Sequence, residues 1–284
     1  MLKVEGLYHS YTNNDEYAIE DVNFQIEKGE IFGFLGPSGA GKSTTQNILI
    51  GLLPLQKGKV ILDGKDVTKS NNDVFNSIGV SFEHPNVYEK LTGLENLEFY
   101  RKMFDKETED PKKLLRMVGL ENSINKRASG YSKGMLQRLV FARSMINNPK
   151  MWFLDEPTSG LDPNTAAKIK DIIKKKRDEG STVFLTTHNM YIAEELCDRV
   201  ALINDGKIEL IDSPRNLKLK YGQKLIRVEY KEGGILKKEN ISIENNNDKT
   251  RLNTLINRGN IETIHSQEAT LEEIFIKVTG RGLK

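Results

Sequence analysis

Short apolar runs alternate with longer segments of helical periodicity along most of the chain. From Leu2 to about Ile211, runs rich in β-branched and aromatic residues are separated by stretches in which apolar residues recur about every three to four positions. Runs that are apolar at nearly every position are typical of parallel strands buried on both faces. The pattern therefore predicts a parallel α/β core, with candidate strands at Glu30–Leu35, Met151–Leu154, Thr182–Thr186 and Val200–Ile203.

Two apolar runs near the N-terminus are flanked by tight-turn dipeptides. Val22–Ile26 is followed by Lys28-Gly29, and Val60–Leu62 is followed by Asp63-Gly64. Such dipeptides favour turns between antiparallel strands. We therefore expect an antiparallel β-ribbon beside the parallel core.

The middle of the chain has helical periodicity and no strand-like run. From about Pro85 to Gly130 the sequence carries many Lys and Glu residues, which is typical of solvated helix faces. This predicts a helical subdomain. Of Leu91, Leu94 and Leu97, we expect at least two to lie in its helix core.

The pattern changes again after Pro214. Leu225–Tyr230 and Asn240–Ile243 alternate as strands do, and the Asn-rich segment Glu244–Asp248 predicts a polar turn. A final helix is predicted over Leu271–Val278, closed by Gly280. These elements predict a small α+β unit at the end of the chain.

Composition argues against several classes of protein. The 284 residues suffice for one large domain and a smaller one. The 42 basic and 40 acidic residues leave a formal charge of +2. The whole chain therefore lacks the strong positive electrostatic field that would favour binding of nucleic acid. No apolar stretch approaches the ~20 residues that span a bilayer, and the first ten residues lack a signal-peptide pattern. The one cysteine, Cys197, lies in an apolar-patterned run and is predicted to be a small buried side chain.

The segment after the first predicted core strand has the spacing of a phosphate-binding loop. It fits G-x-x-x-x-G-K-[ST] between the strand run Ile31–Leu35 and a helical pattern that begins near Ser43. Glycines allow successive backbone N–H groups to surround phosphate oxygens, the lysine reaches the terminal phosphates, and the serine hydroxyl ligates Mg²⁺. The predicted ATP-binding residues here are Gly36, Pro37, Ser38, Gly39, Ala40, Gly41, Lys42, Ser43 and Thr44.

A second candidate element places two carboxylates at the end of another predicted strand. The run Trp152–Leu154 is followed by Asp155 and Glu156, and the carboxyl ends of strands are where α/β sheets bind ligands. Asp155 is suited to hold Mg²⁺, and Glu156 is suited to orient and deprotonate an attacking water. Such a run is weak evidence alone and becomes strong beside a phosphate loop.

Further motifs in order along the chain resemble those of ABC ATPases, over roughly residues 2–211. Ser132, Lys133, Gly134 and Met135, within Tyr131-Ser-Lys-Gly-Met and followed by Gln137 and Arg138, resemble the ABC signature. Ser159 to Asp162 resembles the D-loop, and His188 resembles the switch histidine. Tyr11 matches the aromatic residue that stacks on adenine in the family, with a surface strand aromatic as the alternative. Lys133 stands where the family usually has glycine, either as a solvated charge or facing phosphate.

The resemblance implies an ATPase with Mg²⁺ that works as a head-to-tail dimer, in which the signature of one chain caps the γ-phosphate bound by the other. His188 would hold that phosphate. The partner implied is a separate transmembrane permease, contacted by the segment His84–Leu97, and the location implied is cytoplasmic, peripheral on the cytoplasmic face of the cell membrane. The signature and the C-terminal tail are similar to those of ATPases serving exporters of drugs, antibiotics, lipids or polysaccharides. Homodimer and heterodimer both remain open.

One position departs from the family pattern. Glu83 occupies the place of the Q-loop glutamine, which touches Mg²⁺ and water in the closed dimer. A carboxylate is also a Mg²⁺ ligand, but it adds negative charge near the triphosphate. We expect ATPase activity with altered metal affinity or pH response; an exposed loop carboxylate is the alternative.

These observations define the expected fold and function. The fold class expected is α/β, a P-loop NTPase core with an antiparallel β subdomain and a helical signature subdomain at about 85–135, plus a small α+β C-terminal domain. The boundaries expected are 1–214 for the nucleotide-binding domain and 215–284 for the accessory domain. An ATP-gated clamp with little turnover is the alternative function. A translation factor or DNA-maintenance protein of this family is disfavoured because the chain has neither a second nucleotide domain nor a long coiled coil.

Overall fold

The computed structural model describes residues 1–12, 16–69, 72–222 and 224–280. The chain divides into two compact units, Met1–Asp212 and Ser213–Gly282. The first unit contains strands β1 Leu2–His9, β2 Ile19–Ile26 and β3 Ile31–Leu35, helix α1 Lys42–Leu49, strands β4 Lys57–Leu62 and β5 Lys65–Asp66, helix α2 Asn72–Ser77, strand β6 Ile78–Ser81, helices α3 Gly93–Arg101, α4 Pro111–Met117 and α5 Lys133–Arg143, strand β7 Met151–Asp155, helix α6 Pro163–Asp178, strand β8 Thr182–Thr187, helix α7 Met190–Leu196, and strands β9 Arg199–Asn204 and β10 Lys207–Asp212. The second contains helix α8 Pro214–Tyr221, strands β11 Leu225–Glu232 and β12 Ile235–Ser242, helix α9 Asn246–Arg258, strand β13 Ile261–Gln267 and helix α10 Leu271–Thr279.

A six-stranded sheet of order β10-β9-β3-β8-β7-β6 forms the core of the first unit. Its strands run parallel except for β10, which pairs antiparallel with β9. Every residue of β3, β7 and β8 is buried, as expected of strands covered on both faces. The predicted α/β fold with a parallel core is therefore confirmed. The carboxyl ends of β3, β8 and β7 lie side by side, which brings the segments that follow them to one edge of the sheet.

The antiparallel ribbon is a four-stranded sheet of order β2-β1-β4-β5. Asp63 and Gly64 both have positive φ, 48° and 78°, as a two-residue turn joining antiparallel strands requires, and they join β4 to β5. Lys28-Gly29 does not close a hairpin within this sheet, because it leads from β2 into β3 of the parallel sheet. The ribbon prediction is correct, and only that turn was assigned to the wrong connection.

The helical segment contains α3, α4 and the start of α5. Thr92 begins α3 with a capping box to Glu95, which satisfies N–H groups that the first turn leaves unpaired. Of the three leucines expected to supply core residues, only Leu97 is fully buried, whereas Leu91 and Leu94 are partly exposed. That expectation was wrong because Leu91 precedes the helix and Leu94 lies in its first turn. Among the described residues, no helix is both long and apolar enough to cross a membrane.

The second unit has a three-stranded antiparallel sheet, β12-β11-β13, with α9 packed on it. Its small core is Val228, Tyr230, Ile241 and Leu255. The predicted turn Glu244–Asp248 was wrong in its second half, because Asn245 caps a helix that already includes Asp248. Helix α10 ends at Gly280 with a φ of 70°, as its C-terminal glycine indicated. The functional assignment of residues 1–214 and 215–284 as two domains stays a prediction.

Candidate functional site

The phosphate-loop sequence connects β3 to α1, and its glycines lie where a side chain would clash or where the backbone conformation disfavours one. A Cβ on Gly36 would lie 2.2 Å from the carbonyl oxygen of Ile203. Gly41 has a φ of 101° and precedes α1, which begins at Lys42. The first-turn N–H groups of a helix lack partners within the helix. The loop therefore leads directly into a helix N-terminus whose backbone N–H groups are available as donors. This arrangement binds anionic phosphate.

Lys42 lies at the centre of the site. Its Nζ donates hydrogen bonds to the carbonyl oxygens of Gly36, at 2.7 Å, and Pro37, at 2.9 Å. Burial lowers the pKa of Lys42, and the negative charges of Glu156, Asp155 and Glu83 oppose that shift. The lysine is thus held by neutral carbonyls of its own loop while it faces carboxylates.

Asp155 is buried at the end of β7. Thr186 Oγ1, on β8, donates a hydrogen bond to Asp155 Oδ1. Burial raises the pKa of Asp155, and the hydrogen bond from Thr186 acts in the opposite direction. A partly desolvated carboxylate of this kind is suited to a cation, which would restore the charge compensation lost with water.

Glu156 is fixed by the end of β8. Its φ of 46° is unusual for a residue other than glycine, and its backbone N–H donates to Thr186 O at 3.0 Å. Glu156 Oε1 accepts from the His188 backbone N–H at 2.7 Å and lies 2.6 Å from His188 Nδ1. Glu156 Oε2 accepts from Thr187 Oγ1 at 2.8 Å. The carboxylate is buried, while the His188 side chain is 57% exposed.

These groups surround one cavity of about 340 Å³. It is lined by Ser38, Gly39, Gly41, Lys42, Ser43, Thr44, Glu83, Asp155, Glu156 and His188. Gly36, Pro37 and Ala40 belong to the same loop and are not among the residues that line the cavity. Tyr11 lies beside it: its hydroxyl is 3.1 Å from Thr44 Oγ1, and the residue is 64% exposed.

The cavity has oxygen donors suited to a hard divalent cation. Ser43 supplies a hydroxyl, and Asp155 and Glu83 supply carboxylates. In the described part of the chain, no group of three or more His, Cys, Asp or Glu side chains could hold a metal alone. Mg²⁺ usually binds through one or two carboxylates together with substrate phosphates and water, so this donor set fits Mg²⁺ bound with a nucleotide.

The signature-like residues do not line this cavity. Ser132 caps α5, and its Oγ accepts a hydrogen bond from the Met135 backbone N–H at 3.3 Å. An ideal Cβ on Gly160 would lie 3.5 Å from Cε of Lys133, so the Lys133 side chain lies over the D-loop-like segment of the same chain. Asp162 caps α6 by accepting from the Thr165 N–H. Ser132 to Met135 and Ser159 to Asp162 therefore form a second surface, separate from the cavity lining.

Sequence reasoning missed several contacts through which polar residues support these groups. Thr186 and Thr187 hold the two carboxylates; the Thr-Thr-His run at a strand end was the available signal. Gln137, on α5, donates to the carbonyl oxygen of Phe82, next to Glu83, at 3.3 Å. Arg143 donates to Asn86 O at 2.6 Å and stacks on Tyr100. No local pattern indicated the contact of Gln137 with Phe82 or that of Arg143 with Asn86, because each joins segments more than fifty residues apart.

Comparison with known proteins gives a family model that covers the phosphate loop, Asp155 and Glu156, and relatives that cover the whole chain. A family model described as ABC transporter matches residues 19–159. The fluoroquinolones export ATP-binding proteins of two Mycobacterium tuberculosis strains are 48% identical over 284 residues, covering 100% of this chain and 94% of each relative. An uncharacterized ABC transporter ATP-binding protein of Bacillus subtilis is 40% identical over 192 residues, 67% of this chain and 63% of that protein.

Solved structures show the same fold. The ATP-binding subunit of an ABC transporter has a TM-score of 0.71 at 26% identity, covering 78% of this chain and 93% of that chain. A dimeric ATP-binding cassette in a post-hydrolysis state, bound to ADP and Pi, has a TM-score of 0.68 at 30% identity, covering 75% of this chain and 98% of that chain.

Proposed function

This chain belongs to the ATP-binding subunits of ABC transporters, which are ATPases, and on that premise we propose that it powers the export of fluoroquinolone-like small molecules through a separate permease. The observation that carries the proposal is the 48% identity to two fluoroquinolones export ATP-binding proteins along the entire chain. An identity that extends through the C-terminal unit covers more than the ATPase core that ABC proteins share.

The proposed roles of the site residues follow from their places around the cavity. The loop from Gly36 to Thr44 binds the phosphates, Lys42 compensates their charge, and Tyr11 stacks on the adenine. Glu156 accepts a proton from the attacking water. His188 holds the γ-phosphate from the exposed side of the cavity.

A Mg²⁺ ion would be held by Ser43 and Asp155, with Glu83 as a further ligand. When bound, the ion compensates the charge of the phosphates and of the transition state. The chain's own contribution is orientation: Thr186 fixes Asp155, and Gln137 ties the backbone next to Glu83 to α5.

We propose the dimer arrangement because the signature-like and D-loop-like residues do not line the cavity. Ser132, Gly134, Ser159 and Asp162 are not among the residues that line it. A second chain in head-to-tail orientation would supply them to the γ-phosphate, and a cassette with the same fold has been solved as a dimer. ATP binding would close such a dimer and hydrolysis would reopen it, which moves the permease by population shift.

The surface proposed for the permease is the segment His84–Leu97 together with an apolar groove of about 380 Å³ in the first unit, whose lining residues Phe82 and Tyr100 flank that segment in the sequence. Leu52, Phe75 and Met103 are exposed there, and Phe82 and Tyr100 line it as well. Exposed apolar residues in one groove are typical of an interaction site. Phe82 immediately precedes Glu83, so a permease bound in the groove would affect the position of Glu83 in the cavity. This docking would place the chain on the cytoplasmic face of the cell membrane.

The ATPase part of the proposal is tested on the purified chain beside Glu156→Gln. We expect Mg-dependent hydrolysis by the parent and an ATP-bound dimer that accumulates in the variant, because closure persists when proton transfer is lost. ATP binding without turnover in both, even with permease present, would instead identify an ATP-gated clamp.

The export part is tested in the native cell. Cells in which Glu156→Gln replaces the parent chain should accumulate more of a fluorescent fluoroquinolone than parent cells, with equal amounts of both chains present. Equal accumulation together with intact ATPase activity of the parent would contradict the substrate class and leave the ATPase assignment standing.

A further inference from the structure

Two consecutive threonines at the end of β8 hold two consecutive carboxylates at the end of β7. Thr186 and Thr187 are fully buried. In the parallel register Asp155 lies opposite Thr186, and Thr186 Oγ1 donates to Asp155 Oδ1. Thr187 Oγ1 donates to Glu156 Oε2 at 2.8 Å. Each carboxylate therefore accepts a hydrogen bond from a different threonine hydroxyl, and the Thr187 hydroxyl is the one that donates to Glu156.

The direction of the Thr187 hydroxyl proton follows from its other contact. Thr187 Oγ1 accepts a hydrogen bond from the Asn189 backbone N–H at 3.0 Å. Since that contact uses an acceptor position of the oxygen, the hydroxyl proton is free to point to Glu156 Oε2. Asn189 is itself fixed, because its side chain caps α7.

The two oxygens of Glu156 are not equivalent. Oε1 has two partners on His188, the backbone N–H and Nδ1. Oε2 has the Thr187 hydroxyl as its hydrogen-bond donor, and a carboxylate oxygen has two acceptor positions. Among the described residues no further donor reaches Oε2, and Glu156 lines the cavity, so the second position on Oε2 is the one available to a water.

The backbone conformation at Glu156 depends on hydrogen bonds from neighbouring residues. Its positive φ is an unfavourable conformation for a residue with a side chain, and such a conformation persists only where its surroundings fix it. The contacts from Thr186, Thr187 and His188 come from the end of β8 and the residue that follows it. Without the Thr187 hydroxyl, the side-chain contacts of Glu156 would be confined to Oε1.

We propose that Thr187 is a positioning residue that makes Oε2 of Glu156 the oxygen that takes the proton of the attacking water. The inference rests on the proposed role of Glu156. In this step the water oxygen bonds to the terminal phosphorus, and the bond from that phosphorus to the bridging oxygen breaks with its electron pair going to ADP. The water proton moves to Oε2, and Thr187 supplies no atom to the product.

The test compares Thr187→Val with Thr187→Ser in steady-state ATP hydrolysis by the full-length chain. Valine keeps the shape and removes the hydroxyl, so kcat should fall about tenfold to hundredfold, the range for a lost hydrogen bond to a charged group. KM for ATP should stay within about twofold, because Thr187 does not line the cavity. Serine keeps the hydroxyl and should restore kcat to within about threefold.

Thr182→Val is the matched control. Thr182 lies on the same strand, is equally buried, and uses its Oγ1 to accept from the Gly29 N–H at 3.0 Å. The same substitution there should leave kcat unchanged, and thermal melting of all variants separates loss of folding from loss of positioning. If Thr187→Val does not fold, Thr187→Ala removes the hydroxyl without the branched carbon and should show the same loss of kcat.

A double variant shows whether Thr187 acts through Glu156. In the Glu156→Gln background, measured as single-turnover hydrolysis, Thr187→Val should slow the residual reaction no further. Wild-type kcat in Thr187→Val, or a serine variant as slow as the valine variant, would overturn the proposal. If Glu156→Gln hydrolyses ATP as fast as the parent, the proposed function of Glu156 fails instead, and the two failures are thereby distinguished.

Discussion

At the scale of single residues, the unusual feature of the site is a carboxylate at position 83. Glu83 shares the cavity with Asp155 and Glu156, and its charge acts on the pKa values of both Lys42 and Asp155. Carboxylates crowded around one lysine favour a divalent cation, which relieves their mutual repulsion. The same charge repels the triphosphate until the cation is present. Metal affinity is therefore the property that position 83 should set.

Replacing Glu83 by glutamine removes this charge and should weaken Mg²⁺ binding without stopping hydrolysis. We expect the Mg²⁺ concentration for half-maximal ATPase activity to rise about tenfold, the lower end of the cost of losing a supporting group at a metal site. The maximal rate should stay within about threefold, because Lys42, Asp155 and Glu156 remain. The measurement is an ATPase titration with free Mg²⁺ at saturating ATP.

Glu89→Gln is the control for this titration, since Glu89 lies in the following loop and does not line the cavity. Unchanged Mg²⁺ profiles in both variants would mean that Glu83 acts only as an exposed loop carboxylate.

Site residues were predictable where chemistry requires a fixed residue type at a fixed spacing. The candidate run from Gly36 to Thr44, with Asp155, Glu156 and His188, was predicted from such spacing, and the structure places most of these residues around one cavity. Thr187 could not be read in this way, because a threonine in a strand is ordinary. Its contact with Glu156 exists only once β8 lies beside β7.

At the scale of elements, prediction succeeded where burial makes the pattern uniform. Strands β3, β7 and β8 are apolar or small at almost every position, and all three were expected. Helix α9 and strand β13 were missed. Most residues of α9 face solvent and only Leu255 is fully buried, while β13 has no buried residue. Helices and strands that bury few residues show only weak hydrophobic periodicity. Whether they form depends on tertiary packing rather than on the local pattern.

The apolar groove is an element-scale feature with a direct test. Met103, just after α3, is 54% exposed within it, so its substitution should not disturb the fold. Met103→Asp would place an uncompensated charge in the proposed contact, which is costly once desolvated. We expect recovery of the membrane permease with the tagged chain to fall at least about tenfold, while ATPase activity of the isolated chain stays unchanged.

Met103→Leu retains apolar character and should keep the permease bound. Equal recovery with aspartate and leucine would show that the permease docks elsewhere.

At the scale of the whole molecule, the proposed dimer would use two half-sites that lie on different surfaces of one chain. The cavity holds the phosphate loop and Glu156, and the other surface holds Ser132 at the start of α5. In a two-fold dimer each contact occurs twice with the roles of the chains exchanged. Two composite sites would then form, and each would need Lys42 from one chain and Ser132 from the other.

This arrangement predicts complementation between two inactive variants. Lys42→Met removes the lysine proposed to bind phosphate, and Ser132→Arg blocks the surface proposed to cap it, so either variant alone should be inactive. In a mixed dimer one composite site carries both defects, and the other pairs an intact Lys42 with an intact Ser132. Equal amounts give half mixed dimers, each with one of two sites intact, so activity should return to about a quarter of the parent value.

The measurement is ATPase activity against mixing ratio at constant total protein, with differently tagged chains to count mixed dimers. Activity should be greatest at the equal mixture and absent at both ends of the series. Mixed dimers without any activity would contradict independent composite sites built in trans. Activity of Ser132→Arg alone equal to the parent would mean that the cavity needs nothing from a second chain, because the half-site in one polypeptide would then be complete.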